Sequence, residues 1–407
     1  MDSYFDLGGY HFPITTVSPE AQTWFDRGLI WTYGYNHEEA VACFDRAIAA
    51  DPACAMAHWG RGYAAGPNYN MEWEHFDAAG RAAALSVGHA AAQAALAYVD
   101  GASGWETALI RALPSRYPQA DPIDPQAMKA WNTDFADAMR TAHQAHSDNP
   151  QVCTIFAEAL LNLTPWKMWD LPSGKPAPGA RTDEAREVLE TAMAGLPGGM
   201  SHPGLLHLYV HLMEMSPFPE KALKAGDALR SLVPDGGHLI HMPTHIDVLC
   251  GHYQNVVHWN ETAVEADRRF RDVKPGFDIY SGYGLHNCHF VIYGAMFLGQ
   301  IEPALRAVSR SFELAPEEML RIESPPMADY FESYVSFEPH VLVRFGRWHE
   351  ATDLTLPDDP DLLHPDRACA LCPRRGACGT GRGGQGPGRG KALPRRHRPG
   401  ARHPAFA

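Results

Sequence analysis

The sequence reads as an all-α protein, a right-handed solenoid of stacked helix-turn-helix repeats, and three features say so. Small and aromatic residues recur at helical spacing, alanine and proline landmarks recur a fixed distance apart, and single glycines fall at the turns between paired helices. The first unit begins at Ala21, sets Trp24, Gly28 and Trp31 on one helix and Ala40, Phe44 and Ala47 on the next, and ends at Pro52. Ala40 and Ala47 let the two helices approach closely. Pro52 stops the second helix, because its ring disfavours the helical conformation in the residue before it.

The spacing of Ala40 to Pro52 returns as Ala138 with Pro150, Ala185 with Pro197, Ala222 with Pro234 and Ala304 with Pro316. These landmarks place repeat starts near Ala21, Ala55, Pro203, Gly237, Leu285 and Glu332, with less regular pairs between His75 and Met200. The first unit follows most of the tetratricopeptide (TPR) pattern, with Arg27 where leucine is usual. Gly251, Gly299 and Gly346 stand at inter-helix turns, where a left-handed residue is often needed. A lead-in of residues 1–20 precedes a repeat domain of residues 21–360. Extra residues at 269–284 and 317–331, and the Pro- and Trp-rich stretch 164–180, are expected as loops over a site.

Composition narrows the partners. A hydrophobic fraction of 45% with 20% charged residues excludes a disordered chain. No apolar run reaches the roughly 18 residues of a membrane span, and MDSYFDLGGY lacks the basic start and apolar core of a secretory leader, so the expected address is cytoplasmic. Cys43, Cys54, Cys153, Cys250 and Cys288 are scattered through helical patterns and read as buried thiols. Residues 1–366 carry 24 bases against 48 acids, an acidic body that disfavours nucleic acid. Residues 361–407 turn basic and rich in Gly, Arg and Pro, with no helical period and no capping helix before them; they are expected to be disordered and read as a shifted frame. In this tail Cys369, Cys372 and Cys378 lack a fourth zinc ligand, and GTGRGG (379–384) follows no strand. No Walker loop, GxSxG elbow or HExxH motif is present.

Of the 22 histidines, eight fall into register with the repeats. Counted from each repeat start, His207, His241 and His289 hold the fifth position, His211, His245 and His340 the ninth, and His238 and His286 the second. Glu214 holds the twelfth. At about 100° per residue these positions share one stripe of a helix, the face that lines the concave groove of a tetratricopeptide array.

Two readings follow. In the first, the stripe binds a transition metal through His207, His211, His241, His245 and His289, with His238, His286 and His340 lining the groove or supporting the ligands. Paired imidazoles one turn apart suit zinc, copper or iron rather than calcium or magnesium. Glu214 is then the candidate base, for hydrolysis or metal-dependent oxidation of a small molecule. In the second, the groove is a non-enzymatic scaffold that holds a peptide or protein partner. Two further segments bear on either reading: Asn36 in YGYNHEEA is a good helix cap, and Asn68, Tyr69 and Asn70 fall on a loop expected to rim the groove.

The segments WFDRGLIWTYGYNHEEAVACFDRAIAADPACAMAHWG (24–60), HLYVHLMEMSPFPEKAL (207–223), GHLIHMPTHI (237–246) and LHNCHF (285–290) resemble a widespread bacterial family of tetratricopeptide repeat proteins. The resemblance covers roughly residues 10–355. It implies the helical-repeat fold and marks His207, His211, His241 and His245 as a family feature.

Overall fold

The computed structural model describes residues 4–276, 279–322, 328–334 and 336–354, so the basic tail 361–407 lies outside the described residues. What is described is overwhelmingly helical. The chain divides into two compact units, Met1–His252 with Thr262–Gly276, and Tyr253–Glu261 with Phe277–Ala407.

The first unit runs α1 (Pro19–Tyr33), α2 (His37–Ala50), α3 (Ala55–Ala64), α4 (Ala78–Ala97), α5 (Gly104–Ala112), α6 (Pro125–Ala145), α7 (Pro150–Leu161), α8 (Thr182–Gly195), α9 (Pro203–Met213), α10 (Leu223–Leu229), α11 (Gly237–His241) and α12 (Pro243–Cys250). Helix α13 (Tyr253–Val273) gives its first residues to the second unit and its later ones to the first. The only strands among the described residues, β1 (Trp169–Asp170) and β2 (Lys175–Pro176), form a small hairpin inside the loop 164–180.

Local chemistry sets the helix starts. The side chains of Ser18, Asn36, Asp77 and Asn149 each accept a backbone N–H of the first turn that has no partner within the helix, and α1, α6, α7 and α9 carry proline where its missing N–H costs nothing. Helices α3, α9 and α11 begin at the expected repeat starts Ala55, Pro203 and Gly237. Gly251, Gly299 and Gly346 are left-handed, with φ of 77°, 71° and 68°. Ala40, Ala185 and Ala222 are fully buried as landmarks should be, whereas Ala138 is half-buried and Ala136 takes the inward place on α6.

Packing follows the chain, α1 on α2, α2 on α3, α3 on α4, and again from α6 through α10. Phe44 of α2 is the wedge between α1 and α3: a methyl group added at Gly28 would stand 2.6 Å from its ring, and one added at Gly60 2.4 Å. Helix α9 also meets α1 and α7, so helices distant in sequence enclose one interior.

The described part of the lead-in packs against the helices. Phe5 stacks on Phe270, the Asp6 N–H donates to the Asp235 carboxylate and the Asp235 N–H to the Asp6 carbonyl, and Thr15 gives its N–H and hydroxyl to buried Glu106 at 2.7 and 2.6 Å.

The second unit holds α14 (Ile279–Leu298), α15 (Ile301–Leu314), α16 (Glu317–Leu320), α17 (Ala328–Tyr334), α18 (Glu338–Arg344) and α19 (Trp348–Asp353). Its core joins Val257, Val291, Ile292, Ala295, Ala304, Val308 and Val341. Two details depart from the repeat register. Leu285 lies inside α14 rather than at its start, and the helix expected from Glu332 is split into α17 and α18, with Pro339 in the first turn of the second piece. The extra residues at 269–284 are largely spent on lengthening α13 and α14. Those at 317–331 include α16, and residues 323–327 lie outside the described set. None of the five described cysteines is in a disulfide; four are buried and Cys250 is partly so. No helix among the described residues is long and apolar enough to cross a membrane.

Candidate metal centre

Three imidazoles meet inside the first unit. His207 and His211 stand one turn apart on α9, and His238 comes from α11; all three are buried, and their ligating nitrogens lie within 4.8 Å of one another. The ring centres are 4.6 Å (His207–His211), 5.0 Å (His207–His238) and 5.9 Å (His211–His238) apart. An ion about 2.1 Å from each nitrogen in tetrahedral geometry would space three such rings by about 5 Å, so the triad can hold a metal ion.

The protonation states suit that use. Burial first, and then the neighbouring imidazoles, hold His207 and His238 well below the ordinary imidazole value, so both are neutral. Burial also lowers His211, against the pull of Glu214. Glu214, at the C-terminal cap of α9, has both oxygens occupied: Oε1 accepts Nδ1–H of His211 and Oε2 accepts Nδ1–H of His245, each at 2.7 Å. Burial works against its charge, but His245 and His211 outweigh it and hold the carboxyl at about 2. A carboxylate can only accept, so it fixes the proton of neutral His211 on Nδ1 and leaves Nε2 with its lone pair. That Nε2, and the Nε2 of His207, are buried with no hydrogen-bond partner.

In the first unit the register falls into two sets. His238, expected as a supporting residue, is the third member of the triad. His241 and His245 form a second layer, Nε2 to Nε2 at 2.9 Å, tied to the triad through Glu214. The physical reason is Pro243, which ends α11 after His241 and starts α12 before His245, so the two rings are presented by different helices. Glu214, expected as a base, instead has both of its oxygens engaged by imidazoles. His286 and His289 belong to the second unit, where His286 Nδ1 lies 3.4 Å from the Tyr334 hydroxyl and His289 stacks on Phe337 at 4.6 Å. His340, also of that unit, is exposed.

An aromatic wall surrounds the triad. The Tyr35 ring centre lies 4.8 Å from His207, 5.6 Å from His211 and 5.6 Å from His238. Tyr69 is 4.9 Å and Trp166 5.7 Å from His211. Tyr35 and Trp166 are the only non-glycine residues among those described with positive φ, 55° and 58°, a conformation that disfavours a side chain. Tyr69 belongs to the loop of residues 68–70 and Trp166 to the stretch 164–180, so these two of the expected segments reach the triad.

Sequence reasoning missed Tyr35 and the buried cluster behind it, in which Tyr63 donates to Glu158 at 2.5 Å while Arg116 lies over the Tyr63 ring and donates to the Pro67 carbonyl. Nothing in YGY distinguishes Tyr35 from a core aromatic; only its left-handed place after Gly34, where glycine would be unstrained, sets it apart.

The same burial sets an acid limit on stability. His202, whose Nδ1 accepts the Leu205 N–H and whose Nε2 meets the Tyr10 hydroxyl, is pushed by burial down to about 3, and His37, by burial and then Arg116, to about 4. Below the ordinary value of 6.5 the unfolded chain takes up protons that these folded sites refuse, so their contribution is complete above 6.5 and is lost as pH falls toward 4 and 3. Glu214 adds a loss below its ordinary 4.5 that continues to about 2. Thermal melts should therefore drop by several degrees between pH 7 and pH 5, and H202Q should flatten that slope; a melting temperature constant over this range contradicts the buried, neutral states.

No protein-family model and no curated protein matches this chain.

Proposed function

We propose that the chain is a tetratricopeptide-type solenoid protein whose first unit binds one transition-metal ion, of the zinc, copper or iron class, on His207, His211 and His238, and uses it in hydrolysis or oxidation of a small molecule. The observation that carries the reading is the pair of buried, partnerless Nε2 atoms of His207 and His211, facing a third neutral imidazole. Buried polar atoms without partners are costly and rare, and an ion would satisfy both nitrogens at once. Three neutral nitrogens suit these metals and not calcium or magnesium.

Glu214 acts in this reading as a positioning residue, fixing the tautomer of His211 and raising the basicity of its Nε2. A metal of this class with three protein ligands supplies Lewis acidity or redox chemistry at its remaining position. A peptide scaffold is the weaker alternative, because His207, His211, His238 and His241 are at most 2% exposed and offer a peptide nothing to touch.

Elemental analysis of protein purified without chelators tests the proposal, with one transition metal per chain expected. Adding the metal back to stripped protein at 100 times its dissociation constant should stabilise the fold by about 2.7 kcal/mol, read as a rise in melting temperature. Protein that holds no such metal, and whose melting it does not shift, refutes the reading.

A further inference from the structure

Resting on the metal reading above, we propose that the triad is an open centre whose fourth position takes a small exogenous anion, and that the Trp166 ring selects which anions reach it. Among the described residues of the first unit, the mutually near donors are three imidazoles and no fourth. The nearest carboxylate, Glu214, has both oxygens bonded to imidazole Nδ1 atoms. The Tyr69 hydroxyl is engaged by the Trp166 backbone N–H. A four-coordinate ion on three protein ligands therefore keeps one position for a group from outside.

Charge identifies that group. An imidazole ligates as a neutral donor, Glu214 is the carboxylate bonded to the ligand His211, and Tyr35, Tyr69 and Trp166 bring no charged side chain to the wall. A divalent ion would leave an uncompensated positive charge in a buried site, which is costly unless an anion enters. The ligand is small because the site is closed: the triad, Tyr35 and Tyr69 are each at most 2% exposed. Trp166 is the exception, half-buried, with its ring 5.1 Å from Tyr69 and 5.7 Å from His211.

Its backbone conformation is strained. Trp166 holds φ of 58°, a strained conformation for any side chain, in a short turn closed by Lys167 N–H to the Thr164 carbonyl at 3.0 Å. The flank is pinned, with Trp169 Nε1 donating to the Leu212 carbonyl of α9 at 2.7 Å. Displacement of the ring would break neither of these two flanking bonds.

Cobalt(II), loaded into the full chain and counted by elemental analysis, supplies a spectroscopic test. Azide should change the cobalt absorption saturably in the parent protein by replacing the bound water. In W166G, where the left-handed backbone is relieved and the ring is gone, azide entry followed by stopped flow should be about ten-fold faster. Benzoate, too large for the parent, should now perturb the spectrum. W166L repeats the test without glycine's added backbone freedom, and W166F, which keeps a ring over His211, should behave like the parent.

A cobalt spectrum that azide leaves unchanged in parent, W166G and W166L overturns the open position. Equal entry rates with continued exclusion of benzoate in W166G and W166L overturn the role of Trp166. Failure of the underlying metal reading looks different: cobalt then does not bind one per chain, or binds H207A as well as it binds the parent.

Discussion

Replacing His211 with alanine is expected to weaken metal binding by about a thousand-fold, because one of three ligands is lost from a centre in which each is worth several kcal/mol. Glu214→Gln should weaken it less, by about 10–100-fold, since the ligand remains but the carboxylate that orients it does not. The two variants separate ligation from orientation. His211 Nε2 points at the triad while its Nδ1 donates to Glu214 Oε1, so the first substitution removes a bond to the metal and the second only the partner of that bond's far side. Competition against a chelator of known affinity measures both. Equal, small losses in the two variants would mean that His211 is held for packing and the ion, if any, sits elsewhere.

Phe44→Ala should cost about 3–5 kcal/mol, enough to remove a large share of the stability of an ordinary domain. The ring is completely buried and lies against Gly28 of α1, the helix that leads into Tyr35, and Gly60 of α3, the helix that carries Tyr63. Alanine cannot fill the space, and three helices would have to shift to close it. The converse error is also penalised: Gly60→Ala or Gly28→Ala places a methyl group inside the Phe44 ring's contact distance and should cost about 1–3 kcal/mol. Urea unfolding followed by circular dichroism reads all three variants, and a Phe44→Ala midpoint close to that of the parent would rule out the wedge.

The helices were legible because their signals are local. Asn36 is a cap whose side chain needs only the next few residues to act, and the helices α3, α9 and α11 begin where the repeat landmarks put them. The histidine stripe was legible for the same reason, since position along a helix fixes its face. What periodicity does not contain is depth or pairing. It set His238 apart from His207 and His211, which it joins, because it treated α11 and α12 as one helix, and Pro243 divides them. It placed Glu214 on the right face without revealing that two imidazoles from different helices would occupy both oxygens. Tyr35 was invisible for another reason: a left-handed tyrosine is a tertiary outcome, held by the packing of three histidines around its ring. The landmark at Ala138 failed because in a helix so rich in alanine the buried one is chosen by the neighbour it meets.

The lead-in has a consequence for how the first unit comes apart. An array in which each helix pair touches only its neighbours loses its ends first, a few residues at a time. Here the segment from Phe5 to Thr15 runs from Phe270 and Asp235, near the end of that unit, past His202 to Glu106 in its middle. It acts as a belt fastened to early, middle and late parts of the chain. Fraying at either end must first unfasten it, so the unit gains the cooperativity of a closed ring, and the histidines are exposed by concerted unfolding rather than by stepwise loss of helices.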